Sequence, residues 1–139
     1  DGEGANCLIE VNVTGTKNNS DAINIAKSVV RSSLVKTAIH GCDPNWGRII
    51  SAAGNAGVQF DFANLDLIIG NFQILKNGNL EDYDKANVAN YIRSKMNNEF
   101  LKNDTVQIFL KLSMGDGSGK AWGCDMSQRY VEINSEYTT

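Results

Sequence analysis

The chain has 139 residues, 42% of them hydrophobic and 21% charged, with a net charge of −3 from 13 basic and 16 acidic side chains. That is enough apolar material for one sizeable core, so a single globular domain is expected. Basic runs interleaved with aromatics are missing, which argues against nucleic acid as a partner, and no apolar stretch approaches the roughly 20 residues of a membrane helix.

The N-terminal DGEGAN has neither a basic n-region nor an apolar h-region, so the chain is expected to be soluble and unexported. Cys7, Cys42 and Cys124 are odd in number, widely spaced and lack a CxxC pair. A disulfide framework or zinc knuckle is therefore disfavoured, and the thiols are read as small apolar groups of an intracellular protein.

In chain order, Cys7, Ile9, Val11 and Val13 alternate with Leu8, Glu10, Asn12 and Thr14, which predicts a half-buried strand broken by a turn at Gly15. Ser20 is the expected cap of a helix whose apolar positions run from Ala22 to Val30. Leu34 to Ile39 is short and apolar enough for a strand, although a helical turn has the same periodicity. Asp43 or Asn45 then caps a helix through Ile49, Ala52, Ala53 and Ala56. Leu65 to Ile69 and Phe72 to Leu75 form a hairpin about Gly70 and Asn71, followed by a second turn at residues 77–79. A polar helix from Asp82 or Asp84 runs to about Asn98, and Thr105 to Ser113 alternates as a strand. The segments 121–125 and 130–133 complete a mixed α/β (α+β) layered domain of a sheet with packed helices.

GDGSGKA, residues 115–121, imitates a phosphate loop but has Met114 and Ala121 where glycine and a hydroxyl residue are needed, so it is read as a flexible connection. His40, Cys42, Asp43, Cys124 and Asp125 could make a metal site or a Cys–His nucleophile, but neither spacing is diagnostic. His40 and Cys42 are read as shaping the entry to a helix. In DPNWGR, Pro44 fixes the turn, Trp46 anchors the loop in apolar surface, and Arg48 ties the loop down or meets a substrate carboxylate. Glu3 between two glycines could receive an ammonium, or belong to a solvated chain end.

HGCDPNWGR at 40–48, with ISAAGNAGV after it, closely resembles the ornithine acetyltransferases of arginine biosynthesis, also called glutamate N-acetyltransferases. EGANCLIEVNVTG, LVKTAIHG, AWGCD and YVEINSEYTT resemble that family in the same order, across essentially the whole chain. The resemblance implies a DmpA/ornithine-acetyltransferase-like layered sandwich, of which residues 1–139 are the C-terminal portion of the β chain, an incomplete part of the full fold. It implies a precursor that cleaves itself before a threonine, subunits that remain together as α2β2, and a cytoplasmic location. The freed threonine takes the acetyl group from N-acetylornithine and passes it to glutamate, with an oxyanion hole on the other subunit.

That threonine motif does not occur in these residues, so the chain is expected to begin downstream of it and to hold no catalytic nucleophile. What carries over is substrate binding by Glu3, Asn134 and the terminal Thr139, whose acceptors and carboxylates suit the ammonium groups of ornithine. No resident cofactor or metal is implied, and acetyl-CoA enters only as a second acetyl donor in bifunctional members. Lys120 departs from the family pattern, which more often has a small or hydroxylated residue there. The competing expectation is a noncatalytic assembly or interaction domain of the same fold.

Overall fold

The structure, a computed structural model, describes residues 6–96, 103–125 and 133–134. Its elements in chain order are β1 (Leu8–Thr16), α1 (Asn19–Arg31), α2 (Ser33–His40), α3 (Trp46–Gly54), a short 3-10 turn (Phe62–Asn64), β2 (Asp66–Ile69), β3 (Phe72–Lys76), β4 (Asn79–Leu80), α4 (Lys85–Arg93), β5 (Thr105–Lys111), β6 (Gly117–Cys124) and β7 (Ile133–Asn134). The strands form one mixed α+β sheet in the order β4-β3-β2-β5-β1-β6-β7. Among the described strands only β1 and β5 run parallel; the other neighbours are antiparallel.

Alternation along β1, β5 and β2 decides which face is buried. Val11 lies beside Ile108 and Ile108 beside Ile69, while Val13, Leu110 and Leu67 form the next row. All six are buried and belong to one apolar cluster with the inward residues of α1, namely Ala22, Ile25, Ala26, Val29 and Val30. Helix α1 covers β1 and β6, and α3 packs on α1. Burial of these branched side chains, about 25 cal/mol per Å² of apolar surface, is the main term holding the layers together. The opposite face carries Glu10, Asn12, Gln107 and Lys120, which are half-buried or exposed among the described residues.

Helix starts follow side-chain capping. The Asn45 carboxamide oxygen accepts from Arg48 N–H at 3.1 Å, and Asp84 accepts from Asn87 N–H at 3.2 Å, as the sequence suggests. The cap of α1 is Asn18 rather than Ser20: its side chain accepts from Asp21 N–H at 2.8 Å. Leu34 to Ile39 is helical, not extended, because Ser32 caps it through Val35 N–H at 3.2 Å, and Val35, Ala38 and Ile39 then share a buried face. Helix α4 ends at Arg93, short of the predicted Asn98, which lies outside the described residues.

Two glycine readings also change. Gly15 does not end β1; it sits at φ 88° in a bulge between Thr14 and Thr16, and the strand continues. Gly117 to Lys120 is no flexible connection but the first half of β6. A Cβ on Gly119 would lie 2.6 Å from the Ile23 side chain, so the glycine is there to let α1 approach. The hairpin turns match expectation, and Asn77 and Gly78, at φ 51° and 76°, give the primed geometry that suits strand twist.

Candidate functional site

The starts of β1 and β5 and the end of β6 meet at one end of the sheet, since Leu8 pairs with both Thr105 and Cys124. Polar groups gather there. The Cys7 N–H donates to Asp125 Oδ1 at 3.2 Å, and Asp125 N–H returns a bond to the Cys7 carbonyl, also at 3.2 Å. The second carboxylate oxygen of Asp125 lies 2.8 Å from His40 Nδ1, bringing together residues 85 positions apart. Asp125 is fully buried and His40 is one-third exposed, at 33%. The contact is a hydrogen bond between an imidazole nitrogen and a carboxylate oxygen.

Asp104 adds a second buried carboxylate. Its carbonyl accepts from Leu8 N–H at 2.8 Å, Oδ1 receives the Thr105 hydroxyl at 3.4 Å, and Oδ2 is buried with no hydrogen-bond partner among the described residues. Burial, followed by the charges of Asp125 and Asp104, pushes the Cys7 thiol far above its ordinary range. Burial and Asp125 also raise the Cys124 thiol, against an opposing effect of Lys36. Of the two thiols considered with His40, that of Cys124 is not placed to ionise as a nucleophile. No group of three or more His, Cys, Asp or Glu among the described residues is positioned to hold a metal ion.

The DPNWGR loop is scaffold. Asp43 N–H and Cys42 N–H return to the carbonyls of Ala38 and Ile39, ending α2, and Asn45 starts α3. Arg48 donates from Nη1 to the Leu34 carbonyl at 3.0 Å, tying α3 to α2. Trp46 does not anchor the loop: it is 36% exposed, whereas Pro44 is buried.

On the open face, Glu10 is a hub that the sequence did not disclose. It accepts from Asn12 at 2.8 Å, Gln107 at 2.9 Å and the Trp122 indole at 3.0 Å. Burial alone would raise this carboxyl, but those three bonds and the charge of Lys120 outweigh it and hold it below the usual glutamate range. Lys120, the departure from the family pattern, thus has an electrostatic partner. A cleft of about 390 Å³ opens beside it, lined in part by Asn12, Ser118 and Trp122.

A carboxyl depressed in the folded state stabilises above the unfolded-state value, and that contribution fades as pH falls through the lower folded-state value. Glu10→Gln is therefore expected to narrow its stability deficit against wild type as pH is lowered from about 7 to about 3. Unfolding midpoints measured across that range check it; a constant difference would show that the hub does not titrate as described.

Of the residues assigned to substrate binding, Glu3 and Thr139 lie outside the described residues. Asn134 is in β7, paired with Ala121, which in turn pairs with Val11. Its backbone is thus two strands from β1, roughly 10 Å at the usual strand spacing. The signals for the His40–Asp125 contact were in the sequence, as the only histidine and the acid closing AWGCD. Nothing local showed that strand pairing would join them.

A mixed sheet layered with helices, with its buried ionisable groups concentrated where three strand ends meet, defines an α+β domain built around one sheet end. The chain belongs to the ArgJ family, whose family model matches residues 1–139. It is 66% identical over its whole length to the arginine biosynthesis bifunctional protein ArgJ of Prochlorococcus marinus subsp. pastoris, covering 35% of that protein. It is 52% identical to ArgJ 1 of a Nostoc species, covering 34% of it. The crystal structure of ArgJ from Bacillus halodurans superposes with a TM-score of 0.80 at 41% identity, over 91% of this chain and 55% of that one. The chain thus spans about a third of the length of the curated relatives it matches. No helix among the described residues is long and apolar enough to cross a membrane.

Proposed function

We propose that this chain is the C-terminal part of the β chain of an ornithine acetyltransferase, which moves the acetyl group of N-acetylornithine to glutamate. The observation that supports it most is the match to ArgJ proteins along all 139 residues, at 66% identity to that of Prochlorococcus marinus subsp. pastoris. The nucleophile is a threonine, freed by self-cleavage of a precursor, that these residues do not contain. Its hydroxyl attacks the acetyl carbonyl, ornithine leaves as the amine, and the glutamate amine then takes the acetyl group from the ester. Backbone donors on the other subunit stabilise the oxyanion of each tetrahedral intermediate.

In this reading Glu3, Asn134 and Thr139 hold the ammonium groups of ornithine through their carboxylate and carbonyl acceptors. The partners are the α chain and the rest of the β chain in an α2β2 assembly in the cytoplasm. Acetyl-CoA serves as a second acetyl donor, in keeping with the word bifunctional in the relatives' names.

Purified residues 1–139 are expected to show no acetyl transfer from N-acetylornithine to glutamate, whereas the product of the whole gene transfers it. Turnover by the isolated chain would sink this division of labour. A monodisperse isolated chain with no measurable affinity for ornithine, alongside an inactive whole protein, would favour the assembly-domain alternative.

A further inference from the structure

We propose that the open face of the sheet is the surface on which the remainder of the precursor packs, through uncharged side chains that enter two pits in that face. The inference rests on the function proposed above, in which this chain is one part of a longer protein.

Strand register lays the face out in rows. Ile68, Phe109, Asn12 and Lys120 stand side by side on β2, β5, β1 and β6, and the adjoining row holds Gln107, Glu10 and Trp122. These positions alternate with the core rows, so their side chains leave the sheet on the other side. The packing agrees. Inward residues of all four helices, among them Val29, Val35, Ile49 and Val88, join one apolar cluster, and Ile68, Phe109 and Trp122 neither belong to it nor pack against it. Three apolar side chains, two of them aromatic, are thus left partly open to solvent.

Charge on this face is already matched. Asp66 stands opposite Lys111 in register, and the charge of Lys120 acts on Glu10, whose carboxylate also accepts three hydrogen bonds. A strongly charged partner would gain little here. An uncharged one meets the composition of a permanent interface, with aromatic and amide groups at the centre and no surplus charge. The relief fits as well. A cleft of about 390 Å³ lies beside Asn12, Lys120 and Trp122, and another of about 280 Å³ beside Ile68, Phe109 and Lys111. The neighbours Asn12 and Phe109 line one each, so protruding side chains on either side of that pair would interlock with the face.

Length says what covers it. This chain spans about a third of the length of its relatives, so most of such a protein lies outside these residues. The remainder is made on the same polypeptide and meets this face at a higher effective concentration than a second copy or an unrelated protein does.

The test uses the product of the whole gene. Gln107 is exposed in this chain near the middle of the face, and Asn24 and Ala86 are exposed on α1 and α4. A maleimide is expected to label Gln107→Cys at least about tenfold more slowly than Asn24→Cys and Ala86→Cys, with each site read by peptide mass spectrometry. Thr14→Cys, also exposed on this face, gives the same reading if Gln107→Cys does not fold. A benzophenone side chain introduced at Thr14 is expected to cross-link to precursor peptides outside residues 1–139. Labelling at the reference rate would show an open face and overturn the proposal. Cross-links confined to residues 1–139 would assign the face to a second copy or to the chain itself and overturn it too, as would a benzophenone that captures nothing of the remainder. Neither reading depends on acetyl transfer. A whole protein that transfers no acetyl group defeats the proposed function, while the label and the cross-link still decide this surface.

Discussion

Gly15→Ala is expected to destabilise the protein by about 3 kcal/mol, from two separate costs. The backbone there has φ 88°, a region where a Cβ alone costs about 1–2 kcal/mol. That Cβ would also fall 1.8 Å from the Leu112 carbonyl oxygen and 2.3 Å from its carbon, both backbone atoms that cannot swing aside. Thr14 and Gly15 carbonyls accept from Leu112, Met114 and Gly115 N–H across this bulge, so relieving the clash breaks the link between β1 and the chain leaving β5. Overpacking of this kind adds about 1–3 kcal/mol. Gly54→Ala is the control, because a Cβ at Gly54 meets nothing within 4 Å. Thermal midpoints of the two variants should separate clearly; similar midpoints would show that the bulge tolerates a side chain.

Ile108→Ala is expected to cost about 3–4 kcal/mol, the middle of the range for such large-to-small core changes. Ile108 is fully buried on β5, with Val11 on one side and Ile69 on the other, under the helical layer. Its neighbours belong to three strands whose backbones are hydrogen-bonded, so the space cannot collapse. Ile108→Val should lose only about 1 kcal/mol. Denaturant midpoints for wild type, valine and alanine should fall in that graded order, and a tolerated alanine would mean that this row is not the centre of the core.

The sheet's core face was legible because period-two alternation in β1 and β5 has one physical cause, one face buried and one not. The caps at Asn45 and Asp84 were legible for a similar reason, since a short side chain meeting its own helix is a local event. Misreadings arose where a distant neighbour decides. Leu34 to Ile39 has the composition of a strand, and the Ser32 cap together with packing of Val35, Ala38 and Ile39 on one face makes it helical. The glycines of Gly117 to Lys120 read as looseness because glycine usually marks turns, whereas here their missing side chains admit α1. Trp46 followed the rule that aromatics anchor, but it lies at the surface. For the site, the assignments of Glu3, Asn134 and Thr139 came from family resemblance, not from any local pattern. The His40–Asp125 contact and the Glu10 hub join residues up to 112 positions apart and needed strand register to be seen.

The place of β1 in the sheet also bears on how the chain is made. Of the described strands β1 is made before its neighbours β5 and β6, whose residues follow it at long range, with partners such as Glu10 and Gln107 97 positions apart. The β2–β3 hairpin can close by itself within a dozen residues, but the sheet's middle cannot. At usual rates of synthesis, about 5–20 residues per second, β1 waits several seconds with both edges unpaired. Non-local, partly parallel pairing of this kind also slows folding once the chain is complete. During that interval β1 is apolar on one face and still without the β5 and β6 backbones that close its two edges, the condition in which a strand pairs with the wrong chain.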